Sequence, residues 1–330
     1  MSFKFRVPSF DPFDRAQGRS EFNRRIEVES KPETPNPKPE TFFDPEFLKK
    51  LEQLRLVAKR LSWRGAKGEH PSSRRGSSLE FSDYRNYQRG DDLRYVDWNV
   101  YRRLERLCLK LFTAEEEMNI YFLLDSSRSM AQGAPPKIHY ARSVAAALGY
   151  IGLKNLDKVG AATFRSDVVS RMPLGRGRRQ ILTLFEFLGG LSAAGETDLQ
   201  RSVQSFSLAF PRPGLVVLLS DLFDQRGYRR GLEELLRKRY ELLVIHIVDE
   251  AETRLEPWGD VSVVDVESER EKNLFLDGDL ARRFRQEVER YFQETESFCL
   301  SREIDYLRTT TAIPFEDFVL LYLRQGRSVR

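Results

Sequence analysis

The run Ile120-Tyr121-Phe122-Leu123-Leu124-Asp125-Ser126-Ser127-Arg128-Ser129-Met130 limits the folds open to this chain more than any other stretch. It begins as a continuous apolar segment, which suits a strand buried on both faces of a sheet. It stops abruptly in Asp-x-Ser-x-Ser, so Asp125, Ser127 and Ser129 fall in a loop at the carboxyl end of that strand. Open α/β sheets place their ligands there. A carboxylate and two hydroxyls are hard oxygen donors of the kind a magnesium-class ion accepts, with water completing the octahedron. For the pentapeptide alone a plain turn competes, because Asp and Ser also favour turns and helix N-caps.

Two further stretches bear on that choice. Gly195-Glu196-Thr197-Asp198-Leu199 offers a threonine in a loop that opens a helix, and Leu215 to Asp221 is a second apolar strand ending in an aspartate. Strand and helix patterns alternate from residue 119 onward. Strands are expected at 120–124, 159–164, 215–219, 241–248 and 261–266, with a short edge strand at 167–172. Helices are expected at 137–153, 178–188, 199–210, 228–239 and 280–300. Residues 306–309 read as extended and 315–323 as a short helix. This alternation predicts a doubly wound, mostly parallel α/β sheet. In a 3-2-1-4-5-6 order the first and fourth strands are neighbours at the switch point, which brings Asp125 beside Asp221. That order needs the 167–172 strand at the edge, in third position.

An Asp-x-Ser-x-Ser, then a loop threonine, then a strand-terminal aspartate resembles the metal-ion-dependent adhesion site of von Willebrand factor A domains. The resemblance implies a Rossmann-like fold and an Mg²⁺ or Mn²⁺ ion. Ser127 and Ser129 would ligate it directly, Thr197 directly or through water, and Asp125 and Asp221 mostly through bound waters. It also implies an open position that takes a carboxylate from a partner. Asp198 is expected to cap its helix rather than fill that position. Asp221→Ala is expected to abolish partner binding and leave the fold intact.

Residues 1–44 contain Pro8, Pro12, Pro32, Pro35, Pro37 and Pro39 with balanced charge, and a disordered or extended tail is expected. Residues 45–61 carry a helical apolar stripe behind Asp44 as N-cap. A basic, Gly- and Ser-rich loop follows. Then comes Glu80-Phe81-Ser82-Asp83-Tyr84-Arg85-Asn86-Tyr87-Gln88-Arg89-Gly90-Asp91-Asp92-Leu93-Arg94-Tyr95-Val96-Asp97-Trp98. Its pattern Glu-Phe-x-x-Tyr-Arg-x-Tyr-x-x-Gly-Asp-Asp-x-Arg-x-x-Asp-Trp is similar to the signature of a bacterial family, domain of unknown function 58. That family is often linked with MoxR-type AAA+ ATPases, so the resemblance implies such an ATPase, or its client, as partner. It also implies an adaptor or cofactor role. Many relatives begin with two membrane helices, and no such pair is legible here.

Four segments result: a tail over 1–44, a helix and small β-rich subdomain over 45–118, a von Willebrand factor A-like domain over 119–310, and a C-terminal helix over 311–330. The aromatic and charged block has two readings. Its Asp and Arg side chains pair within the subdomain, or Arg85, Asp92, Arg94, Asp97 and Trp98 form a partner-docking surface.

With 40% hydrophobic and 32% charged residues the chain reads as globular, and a formal charge of +4 does not demand a polyanion. Lys49 to Arg75 is basic and Asp249 to Asp305 acidic, which reads as solvated faces of opposite sign or as two docking regions. Cys108 and Cys299 lie far apart with no Cys-x-x-Cys partner, so no disulfide framework or zinc site is expected. No apolar run reaches about 18 residues, and the opening Met-Ser-Phe-Lys-Phe-Arg has no apolar leader core. A cytoplasmic protein without a membrane span is expected.

An enzyme reading exists: a phosphohydrolase of the haloacid-dehalogenase type, with Asp125 as nucleophile and Asp221 holding magnesium. That chemistry wants an acid two residues after the nucleophile, where Ser127 stands. No Gly-x-Ser-x-Gly elbow occurs, and His70, His139 and His246 have no triad context. Arg171, Arg176, Arg178 and Arg179 form a basic run, but without interleaved aromatics they read as a solvated loop rather than a nucleic-acid site. The expectation is therefore a non-enzymatic, metal-dependent interaction module.

Overall fold

The structure is a computed structural model that describes residues 3–7, 45–54, 79–114, 118–224, 226–253, 259–265 and 271–325. Its centre is β4 (Asn119–Asp125), buried from Ile120 onward. Parallel partners flank it on both sides, β5 (Lys158–Phe164) and β7 (Leu215–Ser220). The six-stranded sheet runs β11 (Asp305–Thr310), β8 (Glu241–Val248), β7, β4, β5 and β6 (Val168–Gly175), with β6 antiparallel at one edge. β8 and β11 complete the parallel part. In order of appearance this is the 3-2-1-4-5-6 arrangement, with the switch point between β4 and β7.

Side-chain alternation along the strands divides the core into two layers. Ile120, Phe122 and Leu124 of β4 and Val217 and Leu219 of β7 face one layer, shared with Ala141, Val144 and Ala145 of the helix Lys137–Lys154. Tyr121, Leu123, Val216 and Leu218 face the other, packed against Val203, Phe206, Leu232 and Phe298. These come from the helices Leu199–Ala209, Arg229–Arg237 and Gly278–Leu300. The helix Arg178–Gly189 packs with the first layer through Ile181, Leu184 and Leu188. Helices on both faces are why the central strands are apolar without a break.

Three features depart from the sequence expectation. The stretch around 261–266 is a strand, β9 (Gly259–Asp265), but it does not join the main sheet. It pairs in parallel with β1 (Phe3–Val7) and antiparallel with β10 (Glu271–Leu276) in a separate three-stranded sheet. The sixth position in the main sheet belongs to β11, a stretch whose sequence predicts only extended backbone. Phe3–Val7 is thus a paired strand rather than disordered tail; residues 8–44 lie outside the described residues.

The segment boundaries shift as well. The chain divides into two units, 1–61 with 118–330, and 62–117. The helix over 45–54 thus belongs with the main unit, not with the subdomain. Its Phe47, Leu51 and Leu54 join the first core layer beside Phe318 and Val319 of the last helix, Phe315–Gln325. Phe47 stacks on Phe315 with centroids 5.2 Å apart, and Lys50 pairs with Glu316 at 2.7 Å. Both terminal helices are therefore part of one core. Residues 55–61 of the expected first helix lie outside the described residues.

The smaller unit is a two-stranded antiparallel ribbon, β2 (Leu79–Asn86) and β3 (Cys108–Ala114), with a bulge between Phe81 and Asp83. A 3₁₀ turn (Leu93–Tyr95) and a short helix (Trp98–Leu104) lie between the two strands in sequence.

Candidate metal and partner-binding site

The site is built where β4 and β7 end. Asp125 is the last residue of β4 and is fully buried. Its carboxylate accepts the Ser127 N–H at 2.9 Å and the Ser220 hydroxyl at 2.7 Å. The second bond crosses from the end of β7, so the two strands are tied at the point where the sheet order reverses. Ser127 and Ser129 are also buried, and their hydroxyl oxygens lie 2.8 Å apart. Ser126 anchors the loop on β5, with its N–H and hydroxyl both donating to the Phe164 carbonyl at 2.9 and 3.0 Å.

Thr197 reaches the same end of the sheet because its loop is fastened backbone to backbone. Ala194 N–H donates to the Ser126 carbonyl and Arg128 N–H to the Gly195 carbonyl, each at 2.9 Å. Thr197 is buried. Asp198 does cap the following helix, accepting the Arg201 N–H at 2.9 Å, and it pairs with Arg226.

Asp221 follows β7 and is buried. The turn after it is tight: Leu222 sits at φ 56°, uncommon for a residue with a side chain. The Ser220 hydroxyl accepts the Leu222 N–H at 2.9 Å, and the Leu222 carbonyl accepts the Tyr291 hydroxyl at 2.6 Å. One Asp221 oxygen accepts the Phe223 N–H at 3.2 Å. The other accepts from Lys137 Nζ at 2.8 Å.

Lys137 is the residue that sequence reasoning missed. It opens its helix, is 0% exposed, and also pairs with Glu252. A lysine in the first helical turn opposes the helix dipole, so its position was the one available signal. Glu252 left no signal, because it arrives from a short 3₁₀ turn (Glu250–Glu252) after β8. There it forms a capping box with Asp249.

Charges in this cluster are strongly coupled. Burial, aided by nearby Asp221, pushes the Asp125 carboxyl from the ordinary 3.8 up to about 7. Burial works against the Lys137 charge, but Asp221 and Glu252 outweigh it and raise its pKa. His246, on β8, is fully buried, with Nδ1 2.7 Å from the Tyr306 hydroxyl. Burial pushes it down to about 3, so it is a neutral core residue.

The donor set fits a hard divalent cation. Two buried hydroxyls meet, a third lies on the adjoining loop, and two buried carboxylates stand at the ends of the neighbouring strands β4 and β7. When all three are ionised, Asp125, Asp221 and Glu252 against Lys137 leave two formal negative charges in a largely buried cluster. Among the described residues no group of three or more His, Cys, Asp or Glu side chains is arranged to hold a metal. Any metal held by these residues would therefore depend on hydroxyl oxygens.

The five residues expected to form a docking surface are mostly engaged within the smaller unit. Arg85 pairs with Asp91 at 2.9 Å, and Asp92 with Arg94 at 2.6 Å while capping the 3₁₀ turn. Asp97 is buried, caps Trp98–Leu104, accepts the Tyr84 hydroxyl at 2.9 Å and pairs with Lys110 at 3.0 Å. Lys110 foremost holds its carboxyl down at about 2. Trp98 is 57% exposed, edge-on to exposed Tyr101, with exposed Leu93, Tyr95 and Leu104 in the same unit.

The strand order, and the meeting of the Asp125, Thr197 and Asp221 loops at its switch point, define a von Willebrand factor A-like α/β domain. The chain belongs to the family described as protein of unknown function DUF58, which matches residues 83–297. Uncharacterized proteins of Mycobacterium bovis and Mycobacterium tuberculosis are each 26% identical over 230 residues, 68% of this chain and 72% of theirs. Among solved structures, the chain is similar to BatB from Bacteroides thetaiotaomicron. The identity is 13% and the TM-score 0.39, over 63% of this chain and 98% of that one. It is also similar to the SpRpn10 VWA domain, at 11% identity and TM-score 0.38, over 64% and 98%. No helix among the described residues is long and apolar enough to cross a membrane.

Proposed function

We propose that this protein is a non-enzymatic, metal-dependent protein-interaction module. The observation that carries it is the buried Ser127–Ser129 hydroxyl pair in the loop after Asp125, at the sheet's switch point where Asp221 is also buried. In this reading Ser127, Ser129 and Thr197 hold Mg²⁺ or Mn²⁺, and Asp125 and Asp221 act mostly through waters. Bound there, the ion supplies an electrophilic position that an acidic side chain of a partner completes. The chain's own residues do the rest. Asp125 and Ser220 lock the strand ends, the 194–198 loop presents Thr197, and Asp198 is occupied as a helix cap. The partner, by family resemblance, is a MoxR-type AAA+ ATPase or its client, with this protein as adaptor or cofactor in assembling or activating complexes.

The test is a pull-down of the full chain against the cognate ATPase and its client, with and without EDTA. Binding should require the divalent ion and fall away in Ser127→Ala/Ser129→Ala. Calorimetry with Mg²⁺ and Mn²⁺ on the same variant separates loss of the ion from loss of the partner. Undiminished binding in EDTA would move the docking surface elsewhere, and the exposed aromatic face around Trp98 would take its place.

A further inference from the structure

A lysine with no solvent exposure belongs to no part of the adhesion-site pattern, yet it touches the site. Lys137 Nζ lies 2.8 Å from Asp221 Oδ2, pairs with Glu252, and stands 5.7 Å from the centre of the Phe223 ring. Its place at the start of a helix runs against the dipole. Asp249, the next acidic neighbour, has its carboxylate taken up by Ala251 N–H at 2.8 Å and the Thr311 hydroxyl at 2.9 Å.

We propose that Lys137 is a resident counter-cation that sets how tightly this site holds a metal ion and how steeply it discriminates by ionic charge. The proposal rests on the ion-site reading above. A fixed positive charge opposes an incoming cation in proportion to that cation's own charge. Burial removes the salt screening that would blunt the effect at the surface. With Lys137 in place and all three carboxylates ionised, the state a bound cation favours, the cluster keeps two formal negative charges, which one divalent ion balances. Without it they retain three, which suits a trivalent ion better. A lysine acting only as structural glue would affect stability and loop order but would leave charge selectivity where it was.

The test measures Mn²⁺ and Tb³⁺ affinities of the full chain by calorimetry, in wild type, Lys137→Met and Glu252→Gln. Lys137→Met should tighten Mn²⁺ by about tenfold or more. It should tighten Tb³⁺ further, so the Tb³⁺-to-Mn²⁺ affinity ratio rises. Glu252→Gln removes a negative charge from the same cluster and should move affinity and ratio the opposite way. If Lys137→Met does not fold, by circular dichroism, Lys137→Gln, which removes the charge and keeps a polar end, takes its place. Wild type that binds Mn²⁺, with the ratio unmoved in the folded variants, overturns the role of Lys137 and leaves the ion site standing. Wild type that binds neither ion overturns the ion site and this proposal together.

Discussion

Asp125 shows how a single group ties the fold to its proposed ligand. Its carboxyl is raised from 3.8 to about 7, chiefly by burial. A raised carboxyl contributes most to metal-free stability below the unfolded value, and that contribution is lost as pH rises through about 7. A cation wants the charged form, so proton and metal compete for the same carboxylate. Mn²⁺ affinity should therefore weaken by up to about tenfold per pH unit below 7 and level off above it. Calorimetry at three pH values between 5.5 and 8 checks this, and a pH-independent affinity would refute it. Asp221→Ala is a poorer probe than the sequence suggested. It removes one partner of a buried ion pair, which typically costs about 3–5 kcal/mol. With Glu252 still against Lys137 the loss should be smaller. A lowered melting temperature is the expected outcome, so loss of partner binding by this variant would be ambiguous.

Loops hold the site together, and one glycine makes their approach possible. Gly133 lies at φ 97°, and a Cβ there would stand 2.4 Å from Asp249 Oδ2. Gly227 has a similar φ of 84° but nothing within 4 Å. Both positions penalise alanine through φ, by about 1–2 kcal/mol. Only Gly133→Ala must also displace the Asp249 carboxylate, which accepts from Ala251 N–H and the Thr311 hydroxyl. Thermal melts should therefore show Gly133→Ala clearly less stable than Gly227→Ala, and equal losses would contradict the packing argument. The added three-stranded sheet makes a second element-scale case. β1 supplies the parallel neighbour of β9 over Phe3↔Val261 to Val7↔Asp265. Deleting residues 1–8 should speed amide hydrogen exchange across 259–265 and leave β4 and β7 protected. Unchanged exchange there would mean the pairing contributes nothing.

At the scale of the molecule, the dehalogenase-type reading lacks the acid two residues after Asp125, where Ser127 stands. Both Asp125 oxygens are engaged, and the position two residues on is a serine whose hydroxyl meets another serine. The isolated chain should turn over no phosphate ester, peptide or nucleotide. A phosphatase activity that disappears in Asp125→Asn would revive the dehalogenase-type reading. The smaller unit presents exposed aromatic side chains. Its Asp and Arg groups pair internally, while the helix Trp98–Leu104 buries none of its residues.

The doubly wound sheet is legible in the residues alone, because strands buried on both faces must be apolar throughout and the intervening helices must carry one apolar face. The sequence also places Asp125, Ser127, Ser129, Thr197 and Asp221 at strand ends and loops, since local pattern locates where a strand stops. Periodicity does not reveal which sheet a strand joins. The 261–266 stretch has the stronger strand pattern, yet pairing sent Asp305–Thr310 beside β8 and Gly259–Asp265 beside β1. Nor does it reveal which charges meet across the chain. Lys137 is 84 residues from Asp221 and 115 from Glu252. Their encounter depends on packing a helix start against two loop ends, so the charge at the heart of the site was decided by the tertiary structure alone.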